Sequence, residues 1–334
     1  MKNPKVSILV PLYGVERYIA KCAFSLFAQS YENCEFIFVD DSSPDKSVEN
    51  LMHVIRHYEA RHDHIRVLHH ARNMGVAAAR NTALDAATGD YVLFIDSDDW
   101  IDESMVERLV ERCLLHDDDM CNVWCRNVMA NGEESFTPTV WIGDSRSHFR
   151  ALLGQSHIAQ NLVRGILIRR SLFEDNRLRF TPHVDFAEDY SLMPQLLYYA
   201  KGVSSLGEYL YSYRAENISS YMNTIGERHI ASYITASKIV ERFIDSLPEG
   251  KQYKKDIVLG RLNIKKWIFK RGYNARQYDK QLFIYGMGTI NPLLRLYNTA
   301  INSRIKPLVK FFSVVVNMPI YLKYKRSLAK FDAE

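Results

Sequence analysis

The chain has 334 residues, 47% of them hydrophobic and 25% charged, and a net charge of +4. That composition excludes a disordered or fibrous protein and supplies core for one large domain or two ordinary ones, while the charge is too small to imply a nucleic-acid partner. Its five cysteines contain no CxxC pair, so neither a disulfide framework nor a thiolate zinc site is expected, and the thiols read as free ones in a reducing compartment.

The N-terminal MKNPKVSILVPLYG has an apolar run of only about six residues and no small-residue cleavage site, unlike a signal peptide. No stretch reaches the roughly 18 apolar residues of a membrane span. The expected location is cytoplasmic, or peripheral on the inner face of the cytoplasmic membrane. Four short runs rich in β-branched and aromatic residues follow: Val6 to Pro11, Glu35 to Val39, Ile65 to His69 and Tyr91 to Ile95. Near-continuous apolarity predicts strands buried on both faces of a parallel sheet. Between them, Val15 to Gln29, Ser47 to Arg61 and Gly75 to Ala87 carry helical spacing. This alternation predicts an α/β wound sheet flanked by helices, with ligands at the carboxyl ends of its strands.

After Trp100 the pattern changes. Asp102 is placed to cap a helix running to about His116, and Asn131-Gly132 reads as a hairpin turn. Arg164 to Ser171 is strand or strand-to-helix, Tyr190 to Ala200 is helical, and Glu208 to Tyr213 is a short strand. From about Gly226 the chain is largely helical and increasingly basic. One boundary is therefore expected near residues 220–226, dividing 1–222 from a helical, basic extension over 223–334. The first part subdivides into a nucleotide half of about 1–100 and an acceptor half of about 101–222.

Four constellations carry chemistry. Asp40-Asp41-Ser42-Ser43 follows the second strand; it reads as a nucleotide pocket, where a carboxylate accepts from a base N–H, or as a plain turn cap. Asp96-Ser97-Asp98-Asp99 follows the fourth. Three crowded carboxylates repel one another unless a cation joins them, and Mg²⁺ or Mn²⁺ takes carboxylate oxygens while bridging to phosphates. Arg72-Asn73-Met74-Gly75 leads into a small-residue helix bearing Arg80, which reads as an anion partner or as a surface arginine. Glu188-Asp189 precedes a helix, where the macrodipole alone favours acids. No GxGxxG or GxxxxGK[ST] is present, which disfavours dinucleotide and P-loop sites.

In this order, VSILVPLYG, EFIFVDDSS, RNMGVAAARNTAL and GDYVLFIDSDDW resemble the family 2 glycosyltransferases of bacteria, which have the GT-A fold and a DXD motif, here Asp96-Ser97-Asp98. Phe180-Thr181-Pro182, Glu188-Asp189 and YSYRAENISS (residues 211–220) are similar to the acceptor half of bacterial members. The likeness covers roughly residues 4–221. It implies that Pro11 and Tyr13 shape the base pocket and that Asp41 bonds the base. Arg80 would orient the nucleotide, and Asp96 and Asp98 would serve the ribose–diphosphate and a divalent metal, with Asp99 beside them. Asp189 would be the catalytic base, with Glu188 next to it; before this pair the family often has Gly or Tyr, whereas this chain has Ala187. The implied reaction is inverting transfer of a sugar from a nucleotide diphosphate donor, UDP first among the candidates, to an acceptor hydroxyl in surface polysaccharide or lipopolysaccharide synthesis.

Two other readings compete: a sugar nucleotidyltransferase, which releases diphosphate and needs no Glu188-Asp189 base, and a non-catalytic nucleotide-sugar-binding protein. Residues 281–331 contain no Asp or Glu, but eight lysines and arginines among Phe311, Phe312, Val314, Val315, Val316 and Ile320. Such a segment reads as an interfacial anchor on an anionic membrane, fitting a lipid-linked glycan acceptor, or as a helix packed on the domain.

Overall fold

A computed structural model describes residues 3–141, 144–154, 162–184, 186–215, 226–282 and 292–331. Its contacts divide the chain into two compact units. One comprises Met1–Val140, Leu162–Asp185 and Tyr199–Thr224; the other comprises Trp141–Asn161, Phe186–Tyr198 and Ile225–Glu334. The division is interleaved, where the sequence pattern suggests one cut near residue 222; residues 220–225 of that expected boundary lie outside the described residues.

The first unit opens as expected. β1 (Val6–Leu12), β2 (Cys34–Asp40), β3 (Ile65–His69) and β4 (Tyr91–Phe94) alternate with α1 (Ile19–Phe27), α2 (Ser47–Ile55) and α3 (Val76–Ala86). Two helices are shorter than their patterns. Val15 remains in the preceding turn, its N–H bonded to Ser47 Oγ at 2.8 Å. The helix expected to reach Arg61 ends at Ile55, and a short 3₁₀ segment, Glu59–His64, follows.

The unit continues with β5 (Trp100–Ile101), α4 (Met105–His116), β6 (Met120–Asn122), and a hairpin of β7 (Cys125–Val128) and β8 (Glu134–Thr137). Asp102 does not cap α4 directly; its carboxylate takes the N–H and hydroxyl of Ser104 at 3.2 and 2.8 Å. In the second unit, α5 is Ser145–Leu153. The first unit resumes with β9 (Ile166–Arg169) and α6 (Ser171–Asp175). α7 (Glu188–Tyr199) follows, then β10 (Val203–Ser205) and β11 (Tyr211–Arg214).

Seven strands form one sheet in the order β10-β6-β9-β4-β1-β2-β3, with β9 antiparallel to both neighbours; β5, β11, β7 and β8 form a second. β1 pairs in parallel with β2 on one side and β4 on the other. The chain builds outward through β2 and β3, then returns to add β4 across β1. That reversal leaves a crevice beyond the carboxyl ends of β1 and β4, where open α/β sheets bind ligands. Pro11 is tolerated inside a central strand because it lies past the last β1–β4 pair, Leu9 with Phe94, so no ladder bond is missing. Both faces of β1 and β2 are fully buried, which explains their unbroken apolar runs.

The second unit is helical. α8 (Glu227–Ser246), α9 (Lys254–Lys270), α10 (Pro292–Ser303) and α11 (Lys306–Phe331) pack around Ile230, Leu262, Ile268, Tyr297 and Val309. Lys265 is fully buried there, and its ammonium is satisfied by Asp279 and by Asn298 and Asn302 at 2.8 and 2.7 Å. Among the described residues no helix is long and apolar enough to cross a membrane.

Candidate active site

The expected nucleotide-side residues meet at the switch-point end of the main sheet. Tyr13, just past β1, is 49% exposed, whereas Pro11 is buried within that strand. Asp41, just past β2, is buried. One of its oxygens accepts from the Met74 N–H at 2.8 Å and faces His70 Nδ1 at 2.6 Å; the other accepts from the Gly75 N–H at 2.8 Å. His70 Nε2 in turn meets Thr82 Oγ1 at 2.9 Å. Gly75 has φ of 88°, a left-handed geometry that suits glycine, and it opens α3. Asp41 therefore anchors the entry to α3. Asp40 caps the local turn through the Ser43 N–H at 2.9 Å.

α3 carries Arg80 from that anchor to the second acidic turn. Arg80 is buried rather than a surface residue, and its guanidinium donates to Asp96 at 3.0 Å while lying 5.3 Å from the Phe180 ring. Asn81 fixes Phe180 reciprocally: its amide donates to the Phe180 carbonyl at 2.8 Å and accepts from the Phe180 N–H at 2.9 Å. A second guanidinium, Arg164, reaches the other oxygen of Asp96 at 3.3 Å and stacks 4.2 Å from the Tyr213 ring. Burial resists ionisation of Asp96, but Arg80 and Arg164 more than offset it and hold the carboxyl below its usual range.

Asp99 behaves oppositely. It is buried, accepts the Tyr211 hydroxyl at 2.7 Å and the Arg214 N–H at 2.8 Å, and has its pKa pushed up to about 8. Burial is the main cause; Arg164 opposes it, and the neighbouring charges of Asp98 and Asp96 add to it. The crowding that suggested a cation is thus relieved by two arginines at Asp96 and by a shift toward the neutral form at Asp99. Asp99 ties β11 to the turn. Asp98 keeps partial exposure, and its backbone carbonyl accepts from Arg214 Nε at 3.0 Å. The Arg214 guanidinium lies 4.7 Å from the Tyr18 ring and 5.0 Å from the Trp100 ring.

No group of three or more metal-binding side chains occurs among the described residues. A protein-built cage does not fit them; an ion held by one or two carboxylates and by substrate phosphates does, as is usual for Mg²⁺. The pair expected from the sequence, Asp96 and Asp98, keeps partial exposure on this turn.

Sequence patterns missed Arg164, Tyr211 and Arg214 as members of this turn. Arg164 and Asp96 are 68 positions apart, and Tyr211 and Asp99 are 112 apart. The available signals were local: Arg164-Gly165 at a strand entry, with Gly165 at φ of 69°, and the aromatic alternation of Tyr211-Ser212-Tyr213.

Glu188 and Asp189 form the first turn of α7, and Asp189 is buried. The segment Phe186–Tyr198, which contains both, belongs to the second unit and the Asp96–Asp99 turn to the first. The residue before them, Ala187, has φ of 62°. A left-handed backbone there costs an alanine roughly 1 kcal/mol.

A wound mixed sheet with acidic turns at its switch point, followed by a helical C-terminal region, is the architecture of a GT-A glycosyltransferase. The chain belongs to glycosyl transferase family 2, whose family model matches residues 7–177. It is 34% identical over 221 residues to the uncharacterized glycosyltransferase EpsJ of Bacillus subtilis (strain 168), a match spanning 65% of this chain and 62% of that one. A putative glycosyltransferase of the same organism, EpsH, is 29% identical over 269 residues, 77% of this chain and 74% of its own. The fold is similar to that of S. aureus TarS 1–349 in complex with UDP-GlcNAc, with TM-score 0.66, 18% identity, and coverage of 94% and 92% of the two chains. It also resembles the Pyrobaculum calidifontis mannosyltransferase PcManGT in complex with GDP-Man and Mn²⁺, with TM-score 0.53, 15% identity, and coverage of 97% and 88%.

Proposed function

We propose that the chain moves a sugar from a nucleoside diphosphate donor, UDP-linked in the first instance, to a hydroxyl of a glycan or lipid-linked glycan, with inversion, in bacterial polysaccharide synthesis. The observation that carries this reading is the partly exposed Asp98 on a turn braced by Arg80, Arg164, Tyr211 and Arg214 at the switch point of a family 2 sheet. That TarS, similar in fold, is known in complex with UDP and with UDP-GlcNAc supports the choice of nucleotide.

In this reading Tyr13 and Asp41 bind the base; Asp41 would exchange part of its hold on Met74 and Gly75 for the base N–H. Arg80 acts on the nucleotide indirectly by fixing Asp96. Asp98 and Asp96 would hold Mn²⁺ or Mg²⁺, which when bound would stabilise negative charge on the departing diphosphate. Asp189 removes the acceptor proton as the acceptor oxygen attacks the anomeric carbon and the bond to the diphosphate breaks, with Glu188 the rival for that role.

A panel of nucleotide sugars incubated with the enzyme and Mn²⁺ tests the reading. Slow donor hydrolysis releasing nucleoside diphosphate supports transfer; release of inorganic diphosphate from a nucleoside triphosphate instead refutes it. Asp189→Asn should cut transfer by about 10²- to 10⁴-fold with donor affinity near wild type. If Asp189→Asn turns over normally while Glu188→Gln is dead, the base is Glu188.

A further inference from the structure

α11 is apolar on two opposite sides, and only one of them has a partner among the described residues. Val309 and Val316 are buried in the core of the second unit, and Phe312 and Ile320 pack against it. On the other side Leu308, Phe311, Val314, Met318, Tyr321 and Leu322 recur at three- and four-residue steps and all are exposed, Phe311 at 59% and Val314 at 51%. Helical spacing of that kind is normally a core face. Here it forms an apolar stripe on the surface over about four turns, or roughly 21 Å at 1.5 Å per residue. Isolated exposed hydrophobics need no explanation, but a contiguous run does.

The charge around the stripe selects its occupant. Arg304, Lys306 and Lys310 lie at one end and Lys323, Lys325 and Arg326 at the other, and residues 281–331 contain no acid at all. Two copies of this helix meeting face to face, parallel or antiparallel, would bring cationic ends against cationic ends, and like-charge contacts of that kind are unfavourable. A bilayer bearing anionic headgroups satisfies both features: the stripe enters the interface, and the lysines and arginines meet phosphates at either end. The absence of a spanning helix among the described residues makes this an in-plane contact.

We infer that the outward face of α11, from Leu308 to Leu322, is a docking surface for anionic phospholipid bilayers and holds the protein on the membrane without crossing it. The inference is independent of the reading of the donor site.

The test is flotation of the full chain with vesicles of phosphatidylcholine alone or mixed with phosphatidylglycerol, at low and high salt. The expected result is binding to the anionic vesicles that weakens as salt rises, because screening removes the electrostatic part. Phe311→Glu combined with Val314→Glu should lower binding by more than about tenfold, since each loses an inserted apolar group. Both positions are exposed, so circular dichroism and hydrolysis of a soluble nucleotide sugar should match wild type. A second variant, Lys323→Gln with Lys325→Gln and Arg326→Gln, should weaken anionic binding and reduce its salt dependence while leaving the stripe intact. No binding of the full chain at low salt overturns the inference. So does equal binding to neutral and anionic vesicles, or unchanged binding of both variants. A dimer in solution that Phe311→Glu with Val314→Glu converts to monomer would assign the face to a second copy instead.

Discussion

At the N-terminal end of the seven-stranded sheet, Glu35 is buried and receives hydrogen bonds from Ser7 Oγ at 2.5 Å, the Thr88 N–H at 2.6 Å, Lys5 at 3.0 Å and Arg66 at 3.2 Å. Burial opposes its ionisation, yet those donors pull its pKa down to about 2. At the C-terminal end of the same sheet, Asp41 and Asp96 are also well bonded, but Asp98 keeps partial exposure and Asp99 is pushed toward its neutral form. Both ends gather carboxylates, and they differ in burial and charge state. At one end the buried carboxylate is held charged by its donors and locks β1, β2 and the approach to β4 together. At the other, α3 runs from the Asp41 anchor to Arg80, which braces Asp96, while Asp98 beside it keeps partial exposure. A saturated buried carboxylate stabilises the fold, and a braced, partly exposed one is placed to meet a ligand.

Four measurements sharpen or break this contrast. The largest effect is expected at the C-terminal end. Asp98→Ala should lose nearly all turnover, about 10³-fold for the several kcal/mol that a bound ion supplies, with little change in Tm. Full activity of wild type in excess EDTA, with metal-free enzyme verified, would sink the metal part of the argument.

Gly89→Ala should do the reverse. A Cβ at Gly89 would sit 2.7 Å from the Lys5 carbonyl, the Ser7 N–H and the Ser7 hydroxyl, so it should cost about 1–3 kcal/mol by overpacking. Chemical denaturation reads that loss, and turnover per folded molecule should be unchanged. Lost turnover without lost stability would break the division of labour between the two ends.

Glu35→Gln carries a pH signature. A carboxyl with a folded pKa of about 2, against about 4.3 when unfolded, contributes stability that is fully present above the unfolded value. That contribution is lost as pH falls through the folded value. The gap in stability between wild type and variant, roughly 1–3 kcal/mol at neutral pH, should therefore shrink from about pH 4 to about pH 2. A gap that stays constant across that window would mean that the charge is not what the network holds.

The smallest effect distinguishes two roles at one carboxylate. Asp41→Ala should lower stability by about 1 kcal/mol, as losing a helix-entry acceptor does. It should also weaken nucleoside diphosphate binding by up to about tenfold, the worth of one good hydrogen bond. Lower stability with unchanged calorimetric affinity would leave Asp41 as an anchor of α3 alone.

The two acidic turns, DDSS and DSDD, share one setting in the sequence, each being a polar cluster after a buried strand. Their positions were legible because an unbroken apolar run marks a central strand, and the residues just after it must lie at its carboxyl end. What each carboxylate bonds was not legible. Asp41 was read as bonding a base or capping a turn, and its oxygens hold the Met74 and Gly75 amides. Asp99 was read beside the nucleotide, yet it holds Tyr211 and the Arg214 amide. These partners are 33 to 115 positions distant, and local periodicity contains nothing about such pairings.

By itself the sequence determined the first four strands of the wound sheet and the helices between them, the family, and the two turns that carry acid. Those follow from burial, which imposes period and composition on each segment separately. The tertiary structure decided the state of each acid. Inserting β9 antiparallel beside β4 brings Arg164 to Asp96, and pairing β11 with β5 brings Tyr211 to Asp99. Whether a carboxylate is charged, neutral or open to a ligand depends on the donors and the burial around it, and those are fixed only when distant strands pair.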